Sequence, residues 1–103
     1  MDKTTRQIEE SPIYQGEDEE IAYTLTIPSS WGPSPSSPTV TIKDADGADV
    51  TSTYTSGSAS VDGTVITTST ILNLVADAQY RLEIQFTSSG NVLEAWADLR
   101  GEE

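Results

Sequence analysis

Hydrophobic residues alternate with polar ones along most of the chain, and no stretch shows the three-and-four spacing of an amphipathic helix. Ile21, Tyr23, Leu25 and Ile27 alternate with Ala22, Thr24 and Thr26 until Pro28 ends the run. That is the period of a half-buried strand. Val40 and Ile42 oppose Thr41 and Lys43, and Asp46-Gly47 supplies a turn towards a return strand through Val50 and Tyr54. Asp62-Gly63 marks a second hairpin inside SASVDGTVITTSTI. Tyr80, Leu82, Ile84 and Phe86 share one face of a further strand, whose other face carries Arg81, Glu83 and Gln85. Ser88–Asn91 turns the chain into a last strand in which Leu93, Ala95, Ala97 and Leu99 alternate with Val92, Glu94, Trp96 and Asp98. About seven strands, with turn signals roughly every eight to twelve residues, predict an all-β Greek-key sandwich.

Two segments break the alternation. Residues 1–19 are polar, contain Pro12 and end in Glu17-Asp18-Glu19, with Glu20 following; only Ile8, Ile13 and Tyr14 have apolar surface to bury. They predict an acidic arm with one edge strand near Ile13, since proline donates nothing to a ladder. Residues 28–38 hold four of the five prolines together with Trp31, which predicts a stiff loop. The sandwich is expected over residues 20–101, and 102–103 form an acidic tail.

The spacing Leu74-x-Ala76-x-x-x-Tyr80 matches the tyrosine corner that precedes strand F in immunoglobulin- and fibronectin-III-like sandwiches. There the hydroxyl bonds back to the upstream backbone while the leucine plugs the sheet gap. Fibronectin type III domains usually carry proline where this chain has Ala76. Lettered from that anchor, 21–27 is strand B, 39–43 is C, 49–55 is C′, 58–61 is D, 64–70 is E, 80–87 is F and 92–99 is G. The Trp31 loop, the Asp62-Gly63 turn and the 88–91 turn then share one end.

Charge narrows the partners. Seventeen acidic and five basic residues give a net charge of −12, which argues against nucleic acid and anionic membranes, because phosphate contacts need Lys and Arg. The chain has no cysteine and no histidine. Disulfides, thiol chemistry, the usual zinc sites and histidine-based catalysis are therefore excluded. The start of the chain lacks an apolar leader and no long apolar run follows, so neither secretion by a standard signal nor membrane insertion is expected.

Candidate chemistry is sparse. DADGAD, with Asp44, Asp46 and Asp49, has some of the acids of a calcium loop, but residue 55 is threonine where a closing glutamate belongs. A β-turn at Asp46-Gly47 accounts for the same residues. Carboxylates are plentiful, yet a small sandwich offers little cleft to set two of them across a sugar. No enzyme activity, cofactor or metal is expected. Trp31 reads either as a lid on the open end of the core or as an exposed anchor. Trp96 falls on the polar face of its strand, where a large aromatic suits a protein contact or cover by the N-terminal arm. With Ile13 and Tyr14 of the arm, these are the candidate partner-binding residues; Leu74 and Tyr80 are structural.

The segments YQGEDEEIAYTLTI, DVTSTYTSGSASVDGTVIT and YRLEIQFTSSGN with the EAW ending resemble small immunoglobulin-like virion structural proteins of tailed bacteriophages. The resemblance runs from Ser11 to nearly the end of the chain and brings no catalytic motif. It implies a non-enzymatic capsid decoration protein or a head–tail or fibre–tail adaptor, assembled in the bacterial host cytoplasm and residing in the virion. Its partners would be capsid, portal, neck or tail proteins, or further copies of itself, with the arm docking on a neighbour's open sheet edge. The alternative is an immunoglobulin-like carbohydrate- or protein-binding module of a larger surface protein, working through Trp31.

Overall fold

A computed structural model describes residues 8, 11–31 and 34–103; residues 1–7, 9 and 10 of the predicted arm and 32–33 of the proline-rich loop lie outside it. The fold is all-β. In chain order the strands are β1 (Ile13–Gly16), β2 (Thr24–Thr26), β3 (Ser36–Asp44), β4 (Thr55–Ser56), β5 (Ser60–Asp62), β6 (Val65–Thr67), β7 (Thr70–Ile71), β8 (Gln79–Ser88) and β9 (Asn91–Glu102). A four-stranded sheet has the order β1-β9-β8-β3, a three-stranded sheet the order β2-β6-β5, and β4 pairs with β7. β1 runs parallel to β9, whereas β8 is antiparallel to both β9 and β3.

The long hairpin β8–β9 is the centre of the molecule. Its turn, Ser89-Gly90, has φ of 51° and 80°, the doubly left-handed geometry that matches the twist of paired strands. The closing pair Ser88–Asn91 sets the register, which runs through Glu83–Trp96 and Arg81–Asp98 to Gln79–Arg100. Every second residue therefore points inward. Leu82, Ile84, Phe86, Ala95, Ala97 and Leu99 are buried together with Ile42 of β3 and Ile27, Ile66 and Ile71 from the other sheets, in a single cluster. Each Leu, Ile or Phe side chain among them contributes about 1.5–3 kcal/mol on leaving water.

The hairpin at Asp62-Gly63 forms with Gly63-Thr64 as its two central residues, closed by the Asp62–Val65 pair; Gly63 alone of the two takes a positive φ, 61°. Ile27 N–H donates to Thr64 C=O at 2.8 Å, and Ser36 Oγ reaches Thr87 C=O at 3.4 Å. The loop after Pro28 thus begins beside one hairpin turn and ends beside the other.

Two expectations need correction. The return strand expected over 49–55 is a helical turn, α1 (Thr51–Tyr54). Val50 N–H donates to Ile42 C=O, but the next ladder position fails: Ile42 N–H is taken by Thr51 Oγ1 at 2.9 Å. Asp49 Oδ1 then accepts both the hydroxyl and the N–H of Thr51, and the chain curls. A side-chain acceptor has displaced the backbone one.

The second correction concerns the described part of the arm, Ile8 and residues 11–16, which packs on its own domain. Ile8 is buried in the core, and its N–H donates to Trp96 C=O at 2.8 Å. Asp98 N–H donates to Ser11 Oγ at 3.0 Å, and β1 continues the contact in register Ile13–Leu99 to Gly16–Glu102. Gln15 is 0% exposed. Its amide nitrogen donates to Ile71 C=O at 2.8 Å and Glu19 C=O at 3.0 Å, while its amide oxygen accepts from Tyr23 OH at 2.7 Å. A buried amide with those partners costs little and ties β1 to the opposite sheet.

Candidate functional site

The tyrosine corner fixes the strands that carry the site. Leu74 is buried, and Tyr80 OH accepts the Val75 N–H at 3.0 Å. The Tyr80 ring meets Tyr54 edge-on, with centroids 4.9 Å apart at 60°. Burial raises the Tyr80 pKa above its ordinary value, and the Val75 hydrogen bond partly offsets this. Asn73 and Asp77, at φ of 62° and 65°, make the bends of the crossover, a conformation these two residue types tolerate. The crossover then lies directly on β9: Asp77 N–H donates to Gly101 C=O and Gly101 N–H to Ala78 C=O, both at 3.0 Å. A Cβ at Gly101 would fall on the Val75 carbonyl.

With the register locked, the outward residues of β3, β8, β9 and β1 form rows across one face. They run Thr39–Gln85–Glu94, Thr41–Glu83–Trp96, Lys43–Arg81–Asp98 and Gln79–Arg100–Tyr14. The Arg81 guanidinium lies 4.4 Å from the centre of the Trp96 ring. Its Nε donates to Glu83 Oε2 at 2.9 Å, and Lys43 Nζ stands 3.4 Å from Glu83 Oε1. Glu83 is only 9% exposed, a burial that a carboxylate tolerates because two cations flank it. Arg81 Nη2 and Arg100 Nε are enclosed without an oxygen partner. Tyr14 and Val92 stand out from the same face, 55% and 63% exposed.

The charge of this face is unlike the rest of the molecule. Lys43, Arg81 and Arg100 are every cation among the described residues, and all three lie here, balanced by Glu83, Glu94 and Asp98. Glu102, at the end of β9 beside Gly16, adds a fourth carboxylate to the face, and the remaining described carboxylates lie elsewhere. In a chain of net charge −12, this is a nearly neutral surface on which a second macromolecule can settle with little net repulsion. Its central Trp–Arg pair and exposed tyrosine are the residue types that dominate binding energy in protein contacts.

The structure therefore brings Trp96 and Tyr14 onto one face. Ile13, one residue away, points inward against the core. Trp31 ends a short 3₁₀ turn (Ser29–Trp31), with its N–H on Pro28 C=O at 2.9 Å, and its side chain packs half-buried against the core. Asp46 and Gly47 are exposed in a turn organised by Asp44, whose Oδ1 accepts the N–H of Asp46 and of Ala48 at 2.9 and 3.0 Å. Gly47 supplies the positive φ of 86°. Asp49 is engaged with Thr51, which lowers its pKa. Among the described residues no group of three acidic side chains is placed to hold a metal ion. Sequence reading missed Arg81, Glu83, Lys43 and Arg100 as members of a site. The signal was present in the two-residue turn, since counting back from Ser88–Asn91 places Trp96 opposite Glu83.

Comparison of the chain with protein-family models, curated proteins and solved structures finds no match.

Proposed function

We propose that the chain is a non-enzymatic virion structural protein of a tailed bacteriophage, a capsid decoration protein or a head–tail or fibre–tail adaptor. It acts by seating the outer face of its four-stranded sheet on other virion proteins. The observation that carries this reading is the nearly neutral Trp96–Arg81–Tyr14 face on an otherwise acidic domain. The resemblance of the chain to phage immunoglobulin-like proteins supports the context. The sheet orders β1-β9-β8-β3 and β2-β6-β5, the parallel β1–β9 pair and the Tyr80–Val75 bond support an immunoglobulin-like Greek key with an A′GFC sheet and a BED sheet. The alternative, a carbohydrate- or protein-binding module of a larger surface protein, relies on Trp31 as an exposed anchor, whereas Trp31 packs half-buried against the core.

Particles of a tailed phage whose genome encodes the chain provide the test. Mass spectrometry of purified virions should find the chain at a fixed stoichiometry, with amine-reactive cross-links from Lys43 to a capsid, neck or tail protein. Its absence from mature particles, or cross-links that avoid Lys43 while other sites react, overturns the proposal.

A further inference from the structure

A second binding feature lies away from that face, at the edge of the other sheet. β2 is the edge strand of its sheet. Ile27 N–H donates to Thr64 C=O, and Thr68 N–H to Tyr23 C=O, so Tyr23, Leu25 and Ile27 spend their backbone groups on β6. By the alternation of an antiparallel ladder, Ala22, Thr24 and Thr26 direct theirs outward. Among the described residues no strand pairs with that side. An edge of this kind usually carries a charge, a bulge or a proline that deters pairing, yet Ala22, Thr24 and Thr26 provide none.

Beside the edge lies a cleft of about 560 Å³, where the two sheets part between β1 and β2. Ile8, Ile13, Tyr23, Leu25, Leu82 and Ile84 line it. Unpaired strand edge and apolar slot are the two parts of strand addition: main-chain hydrogen bonds hold an incoming strand, and its alternate side chains fill the slot. At the end where β2 begins, Glu17, Asp18, Glu19 and Glu20 are all exposed. Glu19 is close enough to Tyr23, on the cleft wall, to add to the upward shift of its pKa. No described cation balances this run, since all three lie on the far face of the other sheet.

We propose that the edge of β2 and its cleft accept an extended strand from a basic partner protein. The strand pairs antiparallel to β2, sets apolar side chains into the cleft at every second position, and carries Lys or Arg at its C-terminal end beside Glu17–Glu20. This goes beyond the outer-face contact: it uses the other sheet and a partner of opposite charge.

The test uses the full chain, isotope-labelled for NMR, and a synthetic peptide of alternating threonine and valine ending in two lysines. The amides of Ala22, Thr24 and Thr26 should shift and gain exchange protection on titration. The same peptide ending in two glutamates should bind about tenfold more weakly. Thr24→Pro should abolish binding and leave the remaining spectrum in place, because that N–H serves no bond to β6. Three results overturn the proposal: no shift at these amides, shifts confined to the outer face, or strong protection of the same amides in the free chain, whether by its own first residues or a second copy.

Discussion

Tyr80 and Trp96 are large aromatics on adjacent strands of one hairpin, and they do opposite work. Tyr80 faces inward, buried, with its hydroxyl on Val75 N–H and its ring against Tyr54. Trp96 faces outward, with Arg81 stacked upon it and Glu83 drawn between two cations. The corner around Tyr80 is fixed by backbone bonds from several directions. The face around Trp96 is built mainly of side chains lying across a finished sheet. The first arrangement makes a fold; the second leaves a surface whose aromatic and nearly neutral character is free to serve a partner. Perturbations at the corner should therefore be read in stability, and those at the face mainly in binding.

Gly101 gives the sharpest way to break that division. Gly101→Ala places a Cβ on the Val75 carbonyl, backbone against backbone, so the crossover must move off β9. The expected loss is about 3 kcal/mol, a fall in Tm on the order of 15 °C for a domain of this size. An unchanged melting temperature would show that the corner is slack and the contrast false.

Tyr80→Phe should come next, at about 1–2 kcal/mol, because it leaves the Val75 N–H without its acceptor. The pH dependence has a definite sign. Burial raises the folded-state pKa of Tyr80, so the neutral phenol stabilises the fold below the unfolded value of 10.0. That contribution is lost as pH rises through the higher folded value. Urea unfolding at mildly and strongly alkaline pH should therefore show a smaller drop for Tyr80→Phe than for the native chain. Part of the drop should persist, because Tyr23 is raised by burial and then by Glu19. An equal drop in both chains would remove Tyr80 from the alkaline transition.

The contrast also explains what could be read from the chain alone. Strands β8 and β9 were legible because each buries one whole face, and a period of two survives wherever burial is one-sided. The corner was legible because Leu74 and Tyr80 lie close in sequence, and local geometry imposes a spacing. Helical turn α1 was not: DVTSTYT is rich in β-branched residues, and the contest was decided by Thr51 Oγ1 capturing Ile42 N–H, a tertiary event. Gln15 was invisible for a related reason. A lone glutamine in a polar arm has no period, and its burial makes sense only once Tyr23 and the Ile71 carbonyl stand beside it. The outer face needed register as well as direction. Lys43, Arg81 and Arg100 are far apart in the chain, and a slip of one residue would have put Glu83 and Trp96 on opposite sides of the sheet.

The smallest effect tests the division from the other side. Trp96→Ala removes a ring from a face that the core does not need, so it should cost about 1 kcal/mol in urea unfolding, most of it the lost stack with Arg81. A double-mutant cycle with Arg81→Met isolates that stack, with an expected coupling of about 0.5–1 kcal/mol. Arg81→Met alone should cost more than Trp96→Ala, because it also leaves the buried Glu83 carboxylate with Lys43 as its one remaining ion-pair partner. If Trp96→Ala instead destabilised the domain as much as Gly101→Ala, the outer face would be part of the fold's foundation. Trp96 would then be explained without any partner. If the cost is small, a tryptophan held partly exposed under an arginine earns its place outside the fold, in the contact for which the face is proposed.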